Sequence, residues 1–518
     1  MPRPEPHAPG RASTFLVPLV AFAALSLPKL GQGGWSTDTP WYAAIALSAF
    51  RAAAHGDLSA LWSLPGIADQ PYFNKPPLAF WLSGPALWAL GPTVLAARVG
   101  SVIAAALCVL LTTHIARRIT RDNLTALLTG LVLALTWEFS RHARSFSLDL
   151  WMTAFLLVAA LGFVNAAQAA STSSRLRAAA VAGLGVGLAL LTKPLIGLVA
   201  LPLAPFLMRA VAPAASARSA WPLRFETTAL ASLVAMLISA PWHLSMIALH
   251  GDAFTAQYFG REIADRAAAS SAAINPEFNR DAGTPLYYLL LLLKGYWPFL
   301  ATTVLGLVAI FADRRRAQAD DRLLGAWRLA VVGAIWGVSW IVLLSLFPDR
   351  RPRYALVAYP ALAMVSGAWL AAFAPGAIRR VIRLAPRLMP VFVLLGLALA
   401  LLPVRFHRDD PPQWAALDAE LSTLAKDAAA KLPLYAGALD GQRAGRLYLT
   451  RGQWPVAPFD LDGRLVHPPP PGAILLYHRR DGRAPGPTER VLWTRDDLTL
   501  TRLEREPWQP VTTPDPGE

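Results

Sequence analysis

Three short stretches of this 518-residue chain carry residue types that could do chemistry where apolar runs meet water. The first is Trp35-Ser-Thr-Asp38-Thr-Pro-Trp-Tyr42, just beyond an apolar run that ends near Leu30. A carboxylate there reads either as a helix N-cap or solvated loop group, or as a general base that takes a proton from an attacking group. The second is Pro71-Tyr72-Phe73-Asn74-Lys75-Pro76-Pro77, in a chain that spends only six of its 48 basic residues on lysine. Lys75 reads either as a snorkelling interfacial cation or as a point charge for a phosphate held at a membrane surface. Pro76 and Pro77 fix the backbone path beside it. The third is Arg350-Arg-Pro-Arg353-Tyr354, again either interfacial arginine or a set of fixed cations.

The elements that position these residues follow from composition. Hydrophobic residues make up 55% of the chain and charged residues 16%, well below the roughly 25% of an average soluble domain. The apolar residues fall in many runs of about 17 to 25, each long enough to cross a hydrocarbon layer about 30 Å thick. Approximate spans are 13–30, 94–113, 124–138, 148–168, 179–191, 195–209, 227–247, 285–311, 329–346, 355–374 and 388–403. We therefore expect an all-α polytopic membrane protein of about eleven transmembrane helices. The first 30 residues look like a signal peptide in charge and hydropathy, but no small-residue cleavage site follows, so they are read as the first span.

With the N-terminus in the cytoplasm, Arg117, Arg118, Arg121, Arg175, Arg177 and the run Arg314 to Arg316 share the inner side, as the positive-inside rule asks. The net charge of +15 is thus topological, and nucleic acid is not an expected partner. The arginines at 350, 351 and 353 fall on the outer side against that rule, which favours a functional role for them. The single cysteine, Cys108, lies in an apolar run, so no internal disulfide and no cysteine-based metal cluster can form.

Residues 1–403 read as one transmembrane domain, with a first outer loop, 31–93, whose Tyr42, Ile45, Leu47 and Phe50 recur at near-helical spacing. That spacing, and the apolar stretch Leu78 to Leu90 interrupted by Pro85, suit helices lying in the membrane interface. Residues 404–518 read as a soluble extracytoplasmic α/β domain. Trp414, Leu417, Leu421 and Leu424 line a helix face; Ala473 to Tyr477, Arg490 to Thr494 and Leu498 to Leu503 read as strands.

The order of blocks along the chain resembles that of bacterial C-type membrane glycosyltransferases related to protein O-mannosyltransferases and to the lipid A aminoarabinose transferase (ArnT-like). The blocks are Asp38-x-x-x-Tyr42, Gly56-Asp57, Tyr72-Phe73-Asn74-Lys75-Pro76, Arg144-Ser-Phe-Ser-Leu-Asp149, Leu191-Thr-Lys193, Pro241-Trp242, Arg350-Arg-Pro-Arg353-Tyr354 and Tyr359-Pro360. The resemblance implies the GT-C fold, a polyprenyl-phosphate monosaccharide as donor, inversion at the anomeric carbon and an extracytoplasmic active site in the cytoplasmic membrane. It implies Asp38 as the first-loop catalytic aspartate, Asp149 as a second catalytic carboxylate near the acceptor or first loop, and Lys75 as a donor-phosphate contact; by charge alone Arg350 and Arg353 suit the same phosphate, and Lys193 reads either as a further contact or as a snorkelling cation. Tyr42, Tyr72, Arg144, Trp242, Glu262 and Tyr354 would line the substrate pocket. The chain departs from the family at Thr39 and Asn74, where acidic residues are common.

Implied partners are the lipid-linked donor, membrane lipids and a lipid, glycan or protein acceptor. No cofactor is expected, although Asp38 leaves room for a divalent cation. An oligosaccharide or O-antigen ligase and a lipid-sugar flippase or transporter are the alternatives; a transporter needs polar groups through both leaflets, and here they gather on one side. Glu262 has a second reading, a salt bridge to Arg266 four residues on. Lys294, within the eighth span, is expected to face an internal cavity, because a lone charge in hydrocarbon is costly. Gly183, Gly185 and Gly187 read as close helix packing, not as a dinucleotide fingerprint.

Overall fold

The computed structural model describes residues 9–35, 38–66, 71–193, 196–212, 221–265, 286–347, 350–374, 384–406, 412–424, 434–436, 441–449, 456–458, 469–478, 483–496, 498–504 and 511–512. Helices α1 (Arg11–Ser26), α2 (Thr39–Ala54), α3 (Leu78–Leu90) and α4 (Val94–Thr120) open the chain. A bent pair follows, α5 (Asn123–Ala134) and α6 (Trp137–Ala143), then α7 (Leu148–Ala167), α8 (Thr172–Leu190), α9 (Ala200–Val211) and α10 (Trp221–Thr255). A second bent pair, α11 (Tyr287–Gly295) and α12 (Phe299–Ala312), precedes α13 (Asp321–Leu346), α14 (Tyr359–Ala368) and α15 (Met389–Leu401). The tail adds α16 (Pro412–Leu424) and α17 (Gly441–Tyr448) among short strands.

The chain divides into two compact units. One comprises Met1–Leu30, Phe73–Ala79 and Ser101–Val404; the other comprises Gly31–Tyr72, Phe80–Gly100 and Arg405–Glu518. The first is the apolar helical body of a multi-pass membrane protein. Among the described residues, four helical runs have the length and apolarity to cross a membrane, and six if each bent pair is one crossing. Five further apolar helices, α1 and α3 among them, are shorter. Every expected span has a helical counterpart, but 124–138 and 285–311 are not straight rods. The pair α5/α6 bends by 64° and the pair α11/α12 by 117°. At the first bend Thr136 turns its hydroxyl back to the Val132 carbonyl, 2.7 Å away, and Ser140 reaches the Ala134 carbonyl at 3.1 Å, so side chains satisfy the interrupted backbone.

The second bend overturns the expectation for Lys294. It sits on the last turn of α11, beside the break, and is exposed, not enclosed within the helical body. The glycine triplet behaves as expected. A Cβ on Gly185 would lie 2.5 Å from the Ala159 nitrogen of α7, and one on Gly187 2.7 Å from Ile238 of α10, so α8 lies close against helices on two sides.

In the second unit, α2 is buried nearly all round: Ala43, Ala44, Ile45 and Ala46 are fully enclosed. Its packing partner is α17, as described below. Helix α3 continues through Pro85, whose ring is exposed, and Gly84 beside it receives the Phe50 ring. Leu82, Trp88 and Leu90 of α3 are exposed.

The tail is α/β. Its five-stranded sheet has the order β2 (Val456–Pro458), β1 (Leu434–Ala436), β3 (Ile474–His478), β6 (Leu498–Leu503), β5 (Glu489–Arg495). The first three strands are parallel, and β3, β6 and β5 pair antiparallel with Leu476 opposite Leu500. Strand β6 buries Leu498, Leu500 and Leu503 on its two faces, and α16 buries Leu417 and Leu421. A second, two-stranded sheet joins β4 (Arg483–Ala484) to β7 (Val511–Thr512).

Candidate active site

In the first unit, the start of α7 and the end of α8 lie at the same end of the helices. Ser147 caps α7 through its hydroxyl, which accepts from the Leu150 N–H at 3.4 Å; Asp149 then falls in the first turn, where the helix dipole favours an anion. Lys193, just past the end of α8, places Nζ 2.6 Å from Asp149 Oδ1. Arg353, in the turn Pro352–Val357 before α14, brings Nε to 3.9 Å from Asp149 Oδ2. The Lys193 ammonium also lies 4.0 Å from the centre of the Tyr354 ring, a cation–π contact. Four sequence-predicted residues, from three parts of the chain, thus converge on one point, and both partners of the closer ion pair are almost fully buried.

The Lys75 block joins them. The Leu78 N–H donates to the Leu191 carbonyl at 3.0 Å, tying this block to the turn that carries Lys193. Phe73 packs edge-on against Phe254, 5.6 Å between centroids, and Gln257 donates to Asn74 Oδ1. Lys75 Nζ donates to the Asn74 carbonyl at 2.9 Å and forms a buried ion pair with Glu262. The carboxylate beside this lysine therefore comes from position 262, while Asn74 stands where the family commonly has its acid. The alternative partner of Glu262, Arg266, lies outside the described residues.

In the second unit, Asp38 stands directly before α2, where an N-cap belongs, yet its side chain makes no capping hydrogen bond. Tyr42, one turn on, donates its hydroxyl to Asp38 Oδ2 at 3.4 Å. The Tyr42 ring meets Phe80 edge-on at 5.8 Å; Tyr72 meets Phe80 at 5.7 Å and Trp41 at 6.0 Å. Both tyrosines expected in a substrate pocket are thus packed within one aromatic cluster at the start of α2.

Other expected residues have structural partners. Arg144 is buried and donates from Nη1 to the Ser26 carbonyl at 2.7 Å and from Nη2 to the Lys29 carbonyl at 3.2 Å, closing the end of α1. Burial lowers its pKa to about 10, which still leaves it charged at neutral pH. Arg350 donates to the Ser345 carbonyl at 2.9 Å. Trp242 is buried among Phe254, Tyr258 and His243.

Sequence reasoning passed over Glu138, a carboxylate 7% exposed on α6 that takes Arg141 Nε at 3.1 Å and His142 Nε2 at 3.1 Å. The signal was present as a glutamate followed at i+3 and i+4 by an arginine and a histidine. Among the described residues no three His, Cys, Asp or Glu side chains gather as metal ligands. Asp149 and Glu262 each face a lysine.

Residues 47–250 match the family model of dolichyl-phosphate-mannose-protein mannosyltransferases. The undecaprenyl phosphate-alpha-4-amino-4-deoxy-L-arabinose arabinosyl transferase of Pectobacterium carotovorum is 30% identical over 386 residues, 74% of this chain and 64% of the relative. Its counterpart in Pectobacterium atrosepticum is 30% identical over 75% of this chain and 65% of its own length. The chain thus spans just under two thirds of these relatives. The crystal structure of ArnT from Cupriavidus metallidurans bound to undecaprenyl phosphate superposes with a TM-score of 0.66 at 17% identity, over 95% of this chain and 97% of that one. The fold is that of the C-type membrane glycosyltransferases. Over the residues it shares with them, the chain is similar to the dolichyl-phosphate-mannose-protein mannosyltransferase family and to these arabinosyl transferases.

Proposed function

We propose that the protein is an inverting glycosyltransferase that moves one monosaccharide from a polyprenyl phosphate to an envelope acceptor. The observation that carries this reading is the convergence of Lys193 and Arg353 on Asp149, on a backbone tied to the Lys75–Glu262 pair. Cations collected from separate elements in a water-poor place are what a departing phosphate requires. The relatives' names specify an undecaprenyl phosphate-linked aminosugar, and the structural neighbour holds undecaprenyl phosphate, which supports a donor of this class.

In the proposed reaction an acceptor oxygen attacks the anomeric carbon as the bond from that carbon to the phosphate oxygen breaks. The bonding pair leaves with the polyprenyl phosphate, whose developing charge is met by Lys75, Lys193 and Arg353, with Arg350 a further contact. Each such interaction is worth up to a few kcal/mol. If the acceptor is a hydroxyl, its proton passes to Asp38; if it is a lipid phosphate, already anionic at neutral pH, Asp38 orients it. Asp149 holds Lys193 and Arg353 in place. The reaction proceeds without a divalent ion.

The proposal includes about eleven crossings of the cytoplasmic membrane, with the site, the first outer loop and the 404–518 domain on the extracytoplasmic side. Single cysteines in a Cys108→Ala background, probed with an impermeant maleimide on intact cells, check that orientation. The function itself is tested by reconstituting the chain in vesicles with labelled polyprenyl monophosphate and pyrophosphate sugars. Transfer from the monophosphate donor alone is expected; transfer from the pyrophosphate donor alone identifies a ligase, and label crossing the bilayer without transfer identifies a flippase.

A further inference from the structure

Asp38 stands directly before α2, so the backbone of that helix's first turn sets where its carboxylate is carried. Thr39 and Pro40 are buried, and Pro40 fixes the first turn of α2. Behind that turn lies α17 of the tail. A Cβ on Gly445 would sit 2.6 Å from the Pro40 carbonyl oxygen and 2.6 Å from both the nitrogen and the Cα of Trp41. All three are backbone atoms, so no rotamer change relieves the clash. Helix α17 is itself anchored, with the Arg446 guanidinium 4.7 Å from the centre of the Trp414 ring of α16.

We infer that Gly445 is a positioning residue for Asp38: the tail supports the first turn of α2 through a backbone contact that only glycine permits, and so fixes where the carboxylate stands. The tail then contributes to transfer without touching the substrate. This inference rests on the role proposed for Asp38. A misplacement of about 1 Å can cost on the order of a hundredfold in rate, whereas donor binding by residues of the other unit has no reason to change.

The test is a double-mutant cycle in the reconstituted full chain, with kcat and the KM for donor measured for wild type, Gly445→Ala, Asp38→Asn and the double variant. Gly445→Ala is expected to lower kcat about 10- to 100-fold with the donor KM within about twofold. In the Asp38→Asn background it should have no further effect, since residues that act as a unit are not additive. Wild-type kcat in Gly445→Ala, or an equal loss in both backgrounds, overturns the inference while leaving the transferase reading intact. An inactive wild type sinks that reading instead.

Hydrogen exchange decides the contact independently, even where Gly445→Ala does not fold. Glu489 accepts from the Tyr477 hydroxyl at 2.6 Å, the Gly486 N–H at 3.1 Å and the Thr501 hydroxyl at 2.5 Å, so Glu489→Gln loosens the tail sheet far along the chain from α2. Exchange at amides 41–44 should then rise in step with that at 445–448. Unchanged protection at 41–44 overturns the inference.

Discussion

Lys193 reaches Asp149 across 44 residues of sequence and holds its carboxylate at 2.6 Å, with both side chains almost fully withdrawn from solvent. Breaking such a pair from one side leaves a buried charge uncompensated and costs about 3–5 kcal/mol. Lys193→Ala should therefore lower the thermal unfolding midpoint as well as weaken donor binding, and Asp149→Asn/Lys193→Ala should be more stable than Lys193→Ala alone. Differential scanning fluorimetry in detergent checks the order; a double variant no more stable than Lys193→Ala would show that the two side chains are not coupled.

Lys75 and Glu262 form the second buried pair. Lys75→Ala should raise the dissociation constant of a polyprenyl phosphate at least about tenfold, the scale of one lost charge-assisted contact. Lys75→Arg should restore little of it, because a planar fork does not replace a compact ammonium in a closed site. Equilibrium binding of labelled undecaprenyl phosphate measures both; full affinity in Lys75→Ala would remove this lysine from the donor site.

Arg144 gives a contrasting result. Its two donated bonds to the Ser26 and Lys29 carbonyls make it a tie at the end of α1, and Arg144→Ala should cost about 2–3 kcal/mol of stability. At temperatures where the variant is folded, its donor KM should stay within about twofold of wild type. A large rise in KM with unchanged thermal stability would restore Arg144 to the substrate pocket.

The metal prediction follows from charge. Two acids at the site face lysines and an arginine, so chelation by excess EDTA should leave the initial rate unchanged within about 20%, and added Mg²⁺ or Mn²⁺ should not raise it. A rate that collapses in chelator and returns with one of these ions would require carboxylate ligands that these pairs do not provide.

Much of this was legible in the sequence because burial in hydrocarbon leaves so few options. Apolar runs have to become helices, and a polar residue near their ends needs a reason to be there. Asp149, Lys193, Arg353 and Tyr354, expected from order along the chain, do meet. The breaks within α5/α6 and α11/α12 were not legible, since hydropathy averages over a turn stabilised by single hydroxyls such as Thr136. The partner of Lys75 had two readings, and only the fold brings Glu262 to it across 187 residues. The packing of α2 against α17 was illegible too: one glycine in a polar tail carries no periodic signal, and its reason is the backbone it approaches. Arg144 matched a family block yet holds α1, because a sequence match reports position and not partner.

The most direct measurement of the central claim is turnover by Asp38→Asn in vesicles supplied with a polyprenyl-phosphate sugar and an acceptor. Loss of the charge that takes or orients the acceptor should reduce kcat at least about a hundredfold while donor binding persists. Turnover equal to wild type would contradict the account.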